Sequence, residues 1–534
     1  MKRFNLAAFC IVAAGLPGLA QPGLAQPVPP QTPKSSLADL IESGNRKAAL
    51  DKIRSGADVN QAQPDGTTPV HWAVYKVDYE LLQALIDKKA KVSAANQFGA
   101  TPLAQAAQLA DARLVKMLLD AGAEPEGANQ DGETALMLAI KTGELPIVQM
   151  LLDKGAKVNA VEKFHNQTPL MWAAAANKNA AEMVRLLLAK GADVRPRTLY
   201  TDWDSQISSE PRVQYRPVGG LTALLYAVRD GCYACAEELI AAGTNPNYPT
   251  PEGVTPLMLA IDNDHNDVAK LLLDKGGNPA VWDWWGRTAL YIAVDRKEAG
   301  AGGGRGGRGA GGSTAARAAS MEIINRLLDA GVDVNAQMNL HRPSRGGNSG
   351  RFGEEQHNTG TTPLFRAAEG NDVELMQALL AKGANPNINA MGFTPFLLAA
   401  GVSPGGRGGG TPNPAVLDLM IQHGADVNAQ VTGTRTYSMR ISYHPPPDQE
   451  GASALHEAVR AGRTELVRYL LDRGADPNLA DANGKKPIDL LNSTGGGRGT
   501  GNGAATGGRG GPGPVSATAV SEIRTLLENA VSKK

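Results

Sequence analysis

Apolar residues recur along this chain in pairs of short helical patterns, separated by polar, glycine-closed connections. The stretch Leu114-Val115-Lys116-Met117-Leu118-Leu119 spaces its apolar residues as one face of a helix does, and Gly122 follows where a helix would stop. Just upstream, a shorter apolar run opens with Thr101-Pro102-Leu103. Thr offers an oxygen to the free N–H groups of a helix start, and Pro at the first helical position has its φ preset and gives up no needed donor. The phrase returns at Thr68-Pro69-Val70-His71-Trp72-Ala73, Thr134-Ala135-Leu136, Thr168-Pro169-Leu170, Thr222-Ala223-Leu224, Thr255-Pro256-Leu257, Thr288-Ala289-Leu290, Thr362-Pro363-Leu364, Thr394-Pro395-Phe396 and Ser453-Ala454-Leu455. A degenerate copy stands at Lys486-Pro487-Ile488. Successive spacings are 33, 33, 34, 54, 33, 33, 74, 32, 59 and 33 residues, a period of 33 with three insertions. Segments such as Ala475-Asp476-Pro477-Asn478, leading to Asn483-Gly484, predict hairpin fingers between one helix pair and the next.

The period, the Thr-Pro-Leu-His-x-Ala phrase and the Gly-Ala-Asp-Val-Asn phrase (Gly56 to Asn60, Gly424 to Asn428) together resemble the ankyrin-repeat family. The resemblance covers about residues 36–494, plus a final helix near Ser521 to Ala530. It implies an all-α solenoid of about 11–12 helix-turn-helix units with hairpin fingers along one edge, and partner binding as the shared property. Residues 36–66 lack the phrase and form a capping repeat, residues 67–494 form the array with its insertions, and residues 519–534 form a C-terminal capping helix. The His of the phrase survives at His71 and His456, so its hydrogen bonding is expected only there. Lys89 stands where the other units place a stop glycine, which predicts a less rigid end for that helix.

The insertions separate by composition. Those at 299–313, 401–412 and 495–518 are glycine-rich and fall between paired helices, whereas those at 195–220, 337–360 and 431–451 extend fingers. The glycine-rich runs carry Arg305, Arg308, Arg407, Arg498 and Arg509 but no interleaved aromatics. They read as disordered linkers rather than as Arg-Gly-Gly binders of RNA. Gly302-x-Gly304-x-x-Gly307 follows no strand, so it is no dinucleotide site. The finger extensions carry Tyr200, Trp203, Tyr215, Arg351, Phe352, Tyr437 and Tyr443, and Thr434 to Tyr443 alternates as an extended hairpin arm would. One unextended finger, Val281-Trp282-Asp283-Trp284-Trp285-Gly286, holds three of the six tryptophans. The repeat phase puts these rings on an exposed hairpin. They either contact a partner, as Trp, Tyr and Arg do at interfaces, or pack on neighbouring finger arms. The candidate partner-binding set is Trp282, Asp283, Trp284, Trp285, Trp203, Tyr215, Tyr437 and Tyr443.

Composition narrows the remaining chemistry. The 534 residues include 53 basic and 53 acidic ones, which gives no whole-chain field to draw nucleic acid or an anionic membrane. Residues 1–25 read as a secretory signal. Lys2 and Arg3 form a basic start, and Phe4 to Leu19 is an apolar run too short and too broken by Gly and Pro to span a bilayer comfortably. Cleavage is expected after Ala20 or Ala25, followed by a Pro-rich linker at 26–35. The mature chain is expected to be periplasmic or secreted, monomeric and without stable membrane insertion. Cys10 leaves with the signal, and Phe9 before it does not suit a lipoprotein site.

Cys232-Tyr233-Ala234-Cys235 then holds the remaining cysteines, as a structural disulfide, as buried thiols or as a redox pair. Repeat phase places Cys232 in an interhelical turn and Cys235 on the packing face of the next helix, unlike the strand-to-helix setting of a thioredoxin-like site. Asp262-x-Asp264-x-Asn266 begins like a calcium loop, but Asp267 stands where that loop needs Gly, and Leu273 where it needs Glu. His456-Glu457 has no second His at zinc spacing. Metal ligands, cofactors and catalytic residues are therefore not expected. The reading is an exported protein–protein interaction scaffold that binds a protein partner through its fingers and concave face. The alternative is an accessory or redox chaperone for an exported enzyme, using Cys232 and Cys235.

Overall fold

The computed structural model describes residues 36–201, 218–301, 314–338, 360–390, 392–402, 411–432, 449–492 and 515–533. The signal, the Pro-rich linker, most of each insertion, and Trp203, Tyr215, Tyr437 and Tyr443 lie outside them.

Twelve two-helix units follow one another among the described residues. They are α1 (Leu37–Glu42) and α2 (Arg46–Arg54), α3 (Pro69–Tyr75) and α4 (Tyr79–Asp87), α5 (Pro102–Gln108) and α6 (Ala112–Asp120), and α7 (Ala135–Thr142) and α8 (Leu145–Asp153). Then come α9 (Pro169–Ala174) and α10 (Ala180–Ala189), α11 (Ala223–Arg229) and α12 (Tyr233–Ala241), α13 (Pro256–Asp262) and α14 (Asn266–Asp274), and α15 (Ala289–Ala301) and α16 (Thr314–Asp329). The last are α17 (Pro363–Gly370) and α18 (Val373–Ala381), α19 (Pro395–Ala399) and α20 (Pro414–Gln422), and α21 (Ala454–Arg460) and α22 (Thr464–Asp472). A 3-10 helix (Pro487–Asn492) with α23 (Ala517–Ser532) closes the series. The fold is an all-α solenoid. Its one described strand pair is a two-residue stem, β1 (Tyr200–Thr201) against β2 (Val218–Gly219).

Each local choice has a cause. Thr101, Thr134, Thr168, Thr222, Thr255, Thr362 and Thr394 all accept the N–H three residues on, and all seven are buried. Each first helix packs on its own second helix and on neighbouring first helices, so a single apolar core runs from Leu37 to Leu527. Leu114, Val115 and Leu118 of α6 are fully buried in it, and such a side chain contributes about 1.5–3 kcal/mol.

His71 stitches one unit to the next. Its Nε2–H donates to Ala100 O at 2.9 Å while Nδ1 accepts from the Thr68 N–H at 3.2 Å. His456 repeats this with Lys485 O and Ser453 N–H. Tyr291 takes the same slot in α15 and reaches Thr361 with its hydroxyl at 3.2 Å.

Several boundaries differ from expectation. Lys89 does not loosen its helix end. It adopts φ +60°, and the Ala90 N–H still reaches Leu85 O at 3.0 Å, as Ala123 N–H reaches Leu118 O at 2.9 Å beyond Gly122. The departure from glycine is met by backbone strain, about 1–2 kcal/mol for a residue with a Cβ. Helix α15 continues to Ala301 instead of yielding to linker at 299. Its last turns bury Asp295 against Arg366 and Lys297 against Asp372. Helix α23 starts at Ala517, and the copy at Pro487 forms a 3-10 helix. The finger insertions close on paired stems: β1 with β2, Met338 N–H to Thr361 O at 3.0 Å, and Val431 N–H to Ala452 O at 2.9 Å. Among the described residues no helix is long and apolar enough to cross a membrane.

Candidate partner-binding edge

The fingers are built by one recurring device. In each of four of them an Asx residue five positions before the phrase turns its carboxyl or amide oxygen onto two backbone N–H groups. Asn96 receives Phe98 and Ala100, Asn129 receives Asp131 and Glu133, Asp283 receives Trp285 and Arg287, and Asp481 receives Asn483 and Lys485. Successive fingers are then tied backbone to backbone. Gln97 N–H donates to Asp65 O at 2.8 Å, Gln130 to Phe98 at 3.1 Å, Lys163 to Asp131 at 2.8 Å, Leu199 to His165 at 2.7 Å, and Trp284 to Glu252 at 2.8 Å. The tips therefore form one edge with fixed spacing.

That edge gathers apolar surface. Of fourteen large apolar residues left exposed among the described residues, eight are on fingers: Phe98, Val161, Phe164, Leu199, Tyr200, Tyr248, Trp282 and Trp284. The Arg197 guanidinium lies over the Tyr248 ring, 4.5 Å from its centroid, and donates to Pro249 O at 2.7 Å, which joins two adjacent fingers. Phe98, Phe164, Leu199 and Tyr248 were not singled out from the sequence. For Phe98 and Phe164 the signal was the finger phase itself, three and four positions before the phrase; Leu199 and Tyr248, 23 and seven positions before it, carried no such mark.

The tryptophan finger divides in two. Trp282 is 67% exposed and Trp284 44%, but Trp285 is only 9% exposed and belongs to the apolar core. The expectation of three exposed rings is therefore corrected at Trp285. Its ring lies against the Arg287 guanidinium at 5.0 Å. Arg287 in turn pairs with Asp283 at 2.7 Å and with Asp262 of the same unit at 3.6 Å. Asp283 is also corrected as a contact residue. It is 2% exposed, with its carboxylate used up by the turn and by Arg287. Burial pushes the Asp283 carboxyl above the ordinary range against the pull of Arg287. Burial works against the Arg287 charge, yet Asp283 and Asp262 raise its proton affinity on balance.

Cys232 and Cys235 are bonded to each other in this structure, with Cα atoms 5.2 Å apart. Cys232 is the N-cap of α12 and partly exposed, whereas Cys235 is fully buried. The turn at Asp262 to Asn266 is an ordinary interhelical connection, with Asp264 at φ +64° and His265 as the N-cap of α14. Among the described residues no three metal-ligating side chains come together.

Models of ankyrin repeats match residues 37–127, 103–198, 224–300 and 313–431, and a second such model matches 446–491, together well over half of the chain. The E3 ubiquitin-protein ligase KEG of Arabidopsis thaliana is 28% identical over 356 residues, 59% of this chain and 17% of the ligase. The mitochondrial disaggregase of Homo sapiens is 30% identical over 183 residues, 33% of this chain and 23% of the disaggregase. Alpha-latrocrustotoxin-Lt1a of Latrodectus tredecimguttatus is 25% identical over 170 residues, 32% of this chain and 9% of the toxin. The chain thus spans less than a quarter of the length of each of these relatives.

Proposed function

The chain belongs to the ankyrin-repeat family, and on that premise we propose that it is an exported scaffold that holds a protein partner along its finger edge and the concave face beside it. The observation that carries this reading is the set of exposed rings along the finger edge, Phe98 and Phe164 through Tyr248 to Trp282 and Trp284. Exposed aromatic surface gathered along one edge is the usual mark of an interaction site. Rings of this kind supply most of the binding energy once a partner dries them. A spacing fixed by backbone hydrogen bonds lets several such anchors meet a partner without loss of loop entropy.

Export is proposed from the basic start, the short apolar run and the two small-residue cleavage sites of residues 1–25. A Cys232–Cys235 bond fits an oxidising compartment. Fractionation of the producing cell, followed by N-terminal sequencing of the mature chain, tests this half. The other half is tested by capture from the exported fraction with the wild-type chain and with a Trp282→Ala, Trp284→Ala variant in parallel. A partner bound by both chains alike would place the binding surface away from the finger edge.

A further inference from the structure

In four units the second helix starts, ten residues after the phrase, with an N-cap whose side chain accepts from the free N–H groups of that helix. In three units that side chain is a carboxylate. Asp78 accepts the Leu81 N–H at 3.0 Å, Asp111 accepts Arg113 and Leu114 at 2.9 Å each, and Asp372 accepts Leu375 at 3.1 Å. In the unit of α11 and α12 the same position is Cys232, and its Sγ accepts the Cys235 N–H at 3.2 Å. The repeat has therefore placed a sulfur in a pocket of backbone donors that elsewhere holds an anion. Helix α12 has nine residues, so the aligned peptide dipoles add to those donors. The second sulfur, Cys235, is on the third residue of the same helix, 0% exposed. Of the two cysteines, Cys232 is partly exposed and Cys235 is buried beneath it.

We infer that Cys232 and Cys235 are a thiol–disulfide exchange site, with Cys232 the sulfur that reacts and Cys235 the sulfur that closes the pair, and with a protein or peptide dithiol as substrate. A substrate thiolate attacks Cys232 Sγ. The Cys232–Cys235 bond breaks, its electron pair stays on Cys235 Sγ, and that sulfur takes up a proton. The substrate's second thiolate then attacks its own sulfur in the mixed disulfide and expels Cys232 as a thiolate. The substrate loses two electrons and gains a disulfide, and the pair gains two electrons and becomes a dithiol. The second step is where the N-cap acts, because the sulfur that leaves fastest is the one whose thiolate is best stabilised. The neighbouring surface is accessible: Tyr233 is exposed, and the turn before Cys232 is kept tight by Gly231 at φ +74°, where a Cβ would meet the His265 ring at 2.6 Å.

The full-length mature chain tests this with iodoacetamide as the probe. In the folded Cys235→Ser variant, Cys232 should alkylate with a half-maximal rate at least about one pH unit below the roughly 8.5 of a free cysteine. The reduced wild-type chain, alkylated briefly at pH 7 and mapped by mass spectrometry, should carry the label on Cys232 far ahead of Cys235, and it gives the reading without a substitution. The oxidised wild-type chain mixed with reduced glutathione should yield a mixed disulfide on Cys232. An alkylation midpoint at or above that of free cysteine, labelling that requires denaturant, or an adduct first on Cys235 would overturn the assignment and leave a structural crosslink.

Discussion

Replacing Trp285 alone, and replacing Trp282 and Trp284 together, should damage different properties of the protein. Trp285 is 9% exposed and stacked on Arg287, which is itself buried and anchored by Asp283 and Asp262. Truncation to Ala removes nearly all of a buried indole, about 3–5 kcal/mol by analogy with other core aromatics. It also removes the ring face that the guanidinium covers, about 0.5–2 kcal/mol more. In a linear array that loss is passed chiefly to adjacent units, so hydrogen exchange should accelerate in α13 to α18 and much less in α3 to α6. Trp282 at 67% and Trp284 at 44% exposure contribute little to the core. Their joint truncation should shift unfolding by about 0.5 kcal/mol or less at each site. The same pair should weaken partner binding by at least about 2 kcal/mol, roughly thirtyfold in Kd. Urea unfolding, hydrogen exchange and titration calorimetry with the captured partner read all three quantities. A Trp285→Ala chain that unfolds like wild type, or a Trp282→Ala, Trp284→Ala chain that melts early yet binds fully, would refute the division of roles.

Three other outcomes are expected. Burial lowers the proton affinity of the His71 and His456 rings from an ordinary value of 6.5, so below about pH 6.5 the unfolded chain takes up protons that the folded chain refuses. Stability should therefore be fully present above that pH and fall as pH drops below it, and urea midpoints measured from pH 7.5 to 5 should show a slope that a His71→Ala, His456→Ala variant partly loses. Thr255 caps α13 through the Met258 N–H at 3.3 Å, so Thr255→Ala should cost about 1 kcal/mol, read as faster exchange in α11 to α16. Lys89→Gly should relieve the left-handed strain at φ +60° and, after the entropy glycine adds to the unfolded chain, stabilise by about 0.5–1 kcal/mol, read as a higher urea midpoint.

The solenoid was legible because its determinants are local and repeated. Thr101, Thr134 and Thr255 cap helices for the same reason at the same phase, and Thr101, which starts one first helix, sits 33 residues before Thr134, which starts the next. Where one unit departs, a compensating contact from outside the pattern decides the outcome. In helix α15 the residues just before its expected end, Asp295 and Lys297, take their partners from Arg366 and Asp372, about seventy residues further on. No window of sequence around 295–301 contains those partners.

The finger edge shows the same limit at single-residue scale. Phe98 and Trp285 stand at the same place in their fingers, each three residues before the threonine of the phrase and each held by an Asx oxygen two residues before it. Phe98 is 53% exposed and Trp285 is 9%. The local backbone does not separate them. The residue one before the threonine does: Ala100 offers Phe98 nothing planar to cover, whereas Arg287 offers Trp285 a guanidinium pinned flat by Asp283 and, in α13, Asp262. Repeat phase therefore establishes which side chains reach the edge, and the charge pairing around each one establishes which of them turn inward. Trp282 and Trp284 have no such anchor among the described contacts, and they stay exposed at the tip.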